Sequence, residues 1–203
     1  MTLKLMVAKL QLHNKKFITR EELREYCRDI NLDYYTTIRY LTYYKHLARI
    51  FKGIFYIKTI EERKFNKTDI SYPEIIKKAL YIKGIRRWYF GLETALKLNN
   101  MTHEYFAIDY VISDSLFRAK PITILGHKIR FVKLAHSLVS FGLKKNNVPY
   151  SDPEKTALDL LYLKKYSKGE FMDLSRKLSK NKLIIYSKHY NKRIREVVKE
   201  YDG

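Results

Sequence analysis

One cysteine (Cys27), four prolines and seven glycines are all that 203 residues contain of the residue types that most often mark special chemistry or sharp turns. A lone thiol excludes an intramolecular disulfide and any zinc site built from cysteines. With so few glycines, none in a phosphate-cradling run, the chain has neither a P-loop nor a dinucleotide fingerprint. No apolar run approaches the ~20 residues of a membrane span. The opening Met1-Thr-Leu-Lys-Leu lacks the charged start and unbroken apolar stretch of a secretory signal, so a reducing, cytoplasmic location is expected. The six histidines (13, 46, 103, 127, 136 and 189) show no metal-ligand spacing such as i, i+4 on one helix. No metal and no cofactor are expected.

Charge, by contrast, is abundant. Lys and Arg number 41 against 21 Asp and Glu, a formal net charge of +20. Neutralising phosphates releases condensed counterions, so an excess of this size points to nucleic acid. The excess is spread along the chain: +7 over residues 1–70, +8 over 71–166 and +5 over 167–203. With no basic low-complexity tail, the charge belongs to folded elements. Hydrophobic residues make up 46%, enough for a cored globular protein.

Three apolar ladders open the chain. Leu3, Met6, Val7 and Leu10 repeat at the i, i+3, i+4, i+7 spacing of one helix face, and Leu23, Tyr26, Cys27 and Ile30 repeat it. Thr19-Arg-Glu-Glu22 fits a capping box at the start of the second helix. Cys27 falls on its buried stripe and reads as core. The pattern breaks at Asn31-Leu-Asp33, and Asp33 is a good N-cap for a third helix, running to about Leu47, with Ile38, Leu41 and Thr42 inward and Tyr34 or Tyr35 one turn earlier. Ala48 to Ile57, with Lys52-Gly53 at its centre, reads as a tight β-hairpin. Helix, helix, short turn, helix, hairpin is the order of a winged helix-turn-helix.

Residues 61–72 lose periodicity and read as a linker. Pro73 introduces a helix over 74–82, Trp88 to Asn99 reads as another, and Tyr105 to Ser113 as a strand. Ile122 to Val132 reads as a hairpin around Gly126-His127, with Ile122, Ile124, Ile129 and Phe131 on its buried face. Asp152-Pro153-Glu154 starts a helix carrying Ala157, Leu158, Leu161 and Tyr162, and capping accounts for Pro153-Glu154-Lys155. From Phe171 onward one or two basic amphipathic helices are expected, the last with Ile194, Val197 and Val198 as its stripe.

A helix-turn-helix sets its second helix in the major groove, where base edges carry a distinct donor and acceptor pattern. Turning 100° per residue from Ile38 points Thr36, Tyr40 and Tyr43 outward, flanked by Thr37 and Arg39. Threonine can bond base edges or phosphate, arginine can pair bidentately with guanine, and tyrosine brings a hydroxyl on a flat body. Arg49 and Lys52 fall on the wing and Arg20 at the start of the second helix, all three natural phosphate contacts. A solvated basic surface offers the same residue types, so the pattern of elements carries this reading. Catalysis finds little support: Asp109 and Asp114 are candidate magnesium ligands, but no well-placed Glu-x-Lys follows them. The chain is not expected to be an enzyme.

Tyr89-Phe-Gly-Leu-Glu-Thr-Ala-Leu96, Ile124-Leu-Gly-His-Lys-Ile-Arg-Phe-Val132 and Val148-Pro-Tyr-Ser-Asp-Pro-Glu-Lys-Thr-Ala-Leu-Asp-Leu-Leu-Tyr162 resemble, in this order, the AbiEi antitoxin family of type IV toxin–antitoxin systems in phage defence. Lys52-Gly-Ile-Phe-Tyr-Ile57 resembles that family's wing. The resemblance covers about residues 5 to 165. It implies a winged-helix repressor of its own operon, joined to an α+β antitoxin domain that opposes a nucleotidyltransferase toxin without stable direct binding. One departure is Lys97-Leu-Asn-Asn-Met101, where relatives carry a Gly-Leu turn; Asn can take the left-handed cap conformation that Gly usually fills.

The expected architecture is α+β: a winged helix-turn-helix over 1–60, a linker over 61–72, an α+β domain over 73–166 and a basic helical tail over 167–203 packed on it. The expected partner is double-stranded DNA of its own promoter, with no membrane involvement. No heptad seam demands a dimer, so monomer and dimer both stay open. Alternatives are a stand-alone winged-helix regulator without a toxin, an RNA-binding module in which tyrosines stack on unpaired bases, and a metal-dependent DNA-processing enzyme.

Overall fold

A computed structural model describes residues 2–12 and 15–202. His13 lies outside them. The chain divides into two compact units between Gly84 and Ile85. Both helices and sheets are present throughout, a mixed α and β architecture.

The first unit opens with α1 (Thr2–Leu12), β1 (Phe17–Thr19), α2 (Arg20–Asp29) and α3 (Tyr34–Tyr43). β2 (Leu47–Phe51) and β3 (Ile54–Ile57) follow, then α4 (Ile60–Lys64) and α5 (Tyr72–Ile82). The capping box at α2 is formed: the Glu22 amide donates to Thr19 Oγ1 at 3.2 Å, and the Thr19 amide to Glu22 Oε2 at 2.9 Å. α2 ends on Asn31 in the left-handed region (φ 52), with the Leu32 amide reaching back to the Cys27 carbonyl at 2.8 Å. That is the hydrogen bond a tight helix stop requires. Asp33 then caps α3 by accepting from the Thr36 amide at 2.8 Å. Met6, Leu10, Leu23, Cys27, Ile38 and Leu41 meet in one core with Ile18, Leu47, Phe55 and Ile57 from the sheet.

That sheet has the order β1-β3-β2, all antiparallel, and its hairpin turns at Lys52-Gly53. Gly53 sits at φ +80, a conformation that an L side chain adopts only with strain. β1 is a strand that the sequence pattern does not announce, because three residues are too short for alternation to show.

The segment read as a linker, 61–72, belongs to this unit. α4 starts at its own capping box, Thr59 with Glu62. The Glu62 carboxylate is buried and accepts from Tyr56 Oη at 2.5 Å, the Asp69 amide at 2.8 Å and the Thr59 amide at 2.8 Å. Burial opposes its ionisation, but these donors together with Lys16 hold the carboxyl below the usual carboxylate range. α5 likewise falls in the first unit, so the boundary lies some twelve residues later than the composition implies.

The second unit comprises β4 (Trp88–Phe90), α6 (Leu92–Leu98), β5 (Ile108–Ser113), β6 (Ile122–Ile124) and β7 (His127–Lys133). It continues with β8 (Leu143–Lys145), β9 (Pro149–Ser151), α7 (Pro153–Tyr162), α8 (Lys168–Ser175), α9 (Lys180–Ser187) and α10 (Lys192–Asp202). The six-stranded sheet runs β6-β7-β5-β4-β9-β8, with β5–β7 and β4–β9 parallel and the other pairs antiparallel. The helix expected from Trp88 to Asn99 is a strand followed by a shorter helix. Three consecutive aromatics favour the pleated surface. Gly91 breaks the segment where a Cβ would stand only 2.5 Å from Ile112 Cδ1. α6 ends as the Asn-Asn pair suggests, on left-handed Asn100 (φ 55) with the Met101 amide bonded to the Leu96 carbonyl at 2.9 Å.

Asp152 caps α7 through the Lys155 amide (2.9 Å). Around α7, the core gathers Leu158, Leu161, Phe171, Leu183, Ile194 and Val198 from four helices. The tail is therefore three helices rather than one or two, starting at Lys168, and they close the core of this unit.

Candidate nucleic-acid interface

Eight residues are singled out by sequence, all within the first unit. Thr36, Arg39 and Tyr43 are exposed on α3, Tyr43 at 78%. Arg49 and Lys52 are exposed on β2 and at the hairpin turn, with the Arg49 guanidinium 5.8 Å from the Phe55 ring centroid. Arg20 is half-buried at the start of α2, and its amide donates to the Gly53 carbonyl at 2.8 Å. The hairpin tip is thereby tied to the first residue of α2. Arg20, Lys52 and Lys83 share a cleft of about 320 Å³ beside that tip.

Thr37 is not on the outer face. It is 0% exposed, and its hydroxyl donates to the Asp33 carbonyl at 2.6 Å. The inward stripe of α3 is Tyr34, Thr37, Ile38 and Leu41, which satisfies i, i+3, i+4, i+7 and is rotated by about one residue from the stripe drawn through Thr42. A hydroxyl that bonds its own helix backbone can be buried at small cost, which hydropathy reading does not anticipate.

Tyr40 is only half-outward. Its ring packs on the first-unit core, lies 4.6 Å from Tyr44 and stacks on His46 at 6.2 Å with planes 14° apart. Burial, then the charge of Arg63, depresses the His46 pKa and favours the neutral imidazole. Tyr35 and Tyr44, at 67% and 53% exposure, widen the aromatic surface beyond the residues named from sequence.

The acids considered for metal chemistry sit in separate settings of the second unit. Asp109 on β5 lies 3.5 Å from Thr94 Oγ1, and burial raises its carboxyl pKa against the opposing influence of His127 and Lys97. Asp114 accepts from His136 Nδ1 at 3.0 Å and stands 3.7 Å from Arg87. Among the described residues no three His, Cys, Asp or Glu side chains gather in a metal-holding group.

No protein family profile and no curated protein sequence matches the chain. Its fold is similar to a solved one. The crystal structure of the RV2827C protein from Mycobacterium tuberculosis superposes with a TM-score of 0.60 at 13% identity, over 97% of this chain and 74% of that chain. At that identity the likeness is one of fold alone.

One cluster escaped the sequence reading. Lys155, read as part of a helix cap, is fully buried. Its Nζ lies 3.1 Å from both Asp159 oxygens and 3.2 Å from Tyr190 Oη. Tyr190 and Tyr89 both donate to Asp159, at 2.6 and 2.8 Å, and the Phe141 ring centroid is 4.6 Å from the ammonium. Capping explains Asp152 and Pro153 but not Lys155. The i, i+4 Lys155–Asp159 spacing on α7 is the available signal.

Proposed function

We propose that the chain is a DNA-binding transcriptional regulator whose first unit is a winged helix-turn-helix: α2 and α3 form the helix pair and the β2–β3 hairpin the wing. The observation that carries this reading is the joint placement of Thr36, Arg39 and Tyr43, exposed on a helix whose opposite stripe is locked in the core, with a basic hairpin tip fastened to the start of α2. α3 enters the major groove, where Arg39 and Thr36 address base edges. Lys52, Arg49 and Arg20 address phosphates. The net charge of +20 supplies the non-specific attraction on which such recognition is built.

The target is the promoter of its own operon, and the second unit acts as the antitoxin of a toxin–antitoxin locus. The resemblance of residues 89–96, 124–132 and 148–162 to AbiEi antitoxins supports this extension. Hydroxyl-radical footprinting of the upstream region tests the first part: protection confined to a short site, lost in Arg39→Ala, is expected, and uniform or absent protection counts against it. Suppression by the full chain of the toxicity of a neighbouring nucleotidyltransferase tests the second, and continued toxicity in the presence of the chain removes it.

A further inference from the structure

The first unit carries a second concave surface, a groove of about 1010 Å³. Lys15, Lys16 and Phe17 line it from the β1 side, and Lys77, Lys78 and Tyr81 from α5. Four lysines and two acids, Glu22 and Glu74, line it, so the lining residues are net positive, with Asp69 and Glu62 beside Lys16 from outside the lining. Lys15 stands 2.9 Å from Glu22, Lys16 2.5 Å from Asp69, and Ser71 donates to Glu74 at 2.8 Å. Lys77 and Lys78 are exposed, and Tyr81 is 61% exposed despite its size. Ile70 and Ile82 add apolar surface between these groups. A volume at the upper end of ordinary ligand pockets suits a small molecule, with apolar walls for its body and a few polar groups to orient it.

We propose that this groove binds a flat aromatic acid, the ring lying against Phe17 and Tyr81 and the anion among the lysine ammonium groups. Lysine stems cover the ring edges while their heads reach the carboxylate, and an ammonium over the ring face adds cation–π attraction. The regulatory consequence rests on the DNA-binding reading above; the site itself does not. Thr19 and Glu22 line the groove and also form the capping box of α2, whose first residue Arg20 holds the Gly53 carbonyl of the hairpin tip. A bound acid competes with Glu22 for Lys15, loosens that cap and shifts the tip. Acid binding and DNA affinity are then coupled, each changing the other by the same factor.

Calorimetric titration of the full chain with 2-naphthoate, and with the uncharged 2-naphthalenemethanol as control, tests the site. Wild type is compared with Lys77→Glu/Lys78→Glu and with Tyr81→Ala; all three positions are exposed, and thermal melts confirm that the variants fold. The expected result is one saturable site per chain that prefers the acid by about tenfold and weakens by about tenfold or more on charge reversal. Absence of saturable binding, equal affinity for acid and alcohol, or unchanged affinity in both variants overturns the proposal. Saturating naphthoate should also shift affinity for the upstream duplex several-fold in wild type but not in Tyr81→Ala; no shift removes the coupling. The titration contains no DNA, so a positive result stands even if the duplex is not bound. DNA binding without naphthoate binding removes the groove alone.

Discussion

Lys155 and Asp159 lie one turn apart on α7, both sealed from solvent, with the ammonium nitrogen 3.1 Å from each carboxylate oxygen. Such a pair is costly to desolvate and is tolerated only when its remaining donors and acceptors are satisfied. Here Tyr89 and Tyr190 complete the carboxylate, and Phe141 offers its ring to the ammonium. The cluster links β4, α7 and the turn before α10 through groups that fit only one arrangement.

Removing one partner strands the other. Lys155→Ala or Asp159→Ala is expected to destabilise the fold by about 3–5 kcal/mol, whereas Lys155→Met combined with Asp159→Leu loses much less. Gly142→Ala belongs to the same group: at φ +62 its Cβ would stand 2.9 Å from Lys155 Cβ, so strain and overlap both act. Urea unfolding of the four variants checks this, and single and double variants of equal stability contradict it.

A pH dependence follows from Glu62. Its carboxyl is held below 4.5 in the folded chain, so its contribution is complete above 4.5 and is lost as the pH falls through the lower folded value. Hydrogen bonds to a charged group contribute about 1.5–3 kcal/mol. Wild type should therefore lose more stability than Glu62→Gln between pH 5 and acid. Parallel acid-unfolding profiles for the two proteins would count against this role for Glu62.

How much of this was visible in the sequence depends on the range of the interaction. The caps at Thr19–Glu22 and Asp33, the tip at Lys52-Gly53 and the stop at Asn100 are local, and residues a few places apart specify them. The burial of Glu62 is not local information, because its partners Tyr56 and Asp69 come from outside its helix, although Thr59-x-x-Glu62 repeats the capping pattern of Thr19-x-x-Glu22. Hydropathy turns Thr37 outward because it scores a hydroxyl without asking whether the helix backbone satisfies it. Lys155 is the extreme case: only Asp159 is a local partner, while Tyr89, Phe141 and Tyr190, which complete the cluster, come from distant positions.

On the proposed DNA-binding reading, substitutions in the first unit distinguish base contacts from phosphate contacts. Arg39→Ala should cost about 1–3 kcal/mol at the preferred site and blur preference at the base it contacts. Lys52→Ala should weaken all duplexes alike and reduce the salt slope by about one. Thr37→Val, at a position of 0% exposure, should alter stability and leave sequence preference intact. Competition binding with randomised duplexes reads all three, and a preference shift in Thr37→Val alone would misassign the recognition face.

Gly53→Ala tests the hairpin tip both for stability and for the proposed DNA contact. With φ at +80 the substitution strains the tip, while its Cβ would meet Arg20 Cβ at an ordinary 3.5 Å. A loss of about 1 kcal/mol is expected from the backbone alone. If the tip holds phosphate, DNA affinity falls as well; thermal melts alongside binding assays separate the two effects.

Site-specific recognition of duplex DNA is tested by a titration against the region upstream of the chain's own gene, with a scrambled duplex as control, at several salt concentrations. Preference for the native duplex by ~1,000-fold or more, retained as salt rises and non-specific binding fades, is the predicted result. Equal and steeply salt-dependent binding to both duplexes, or binding to neither, would contradict it.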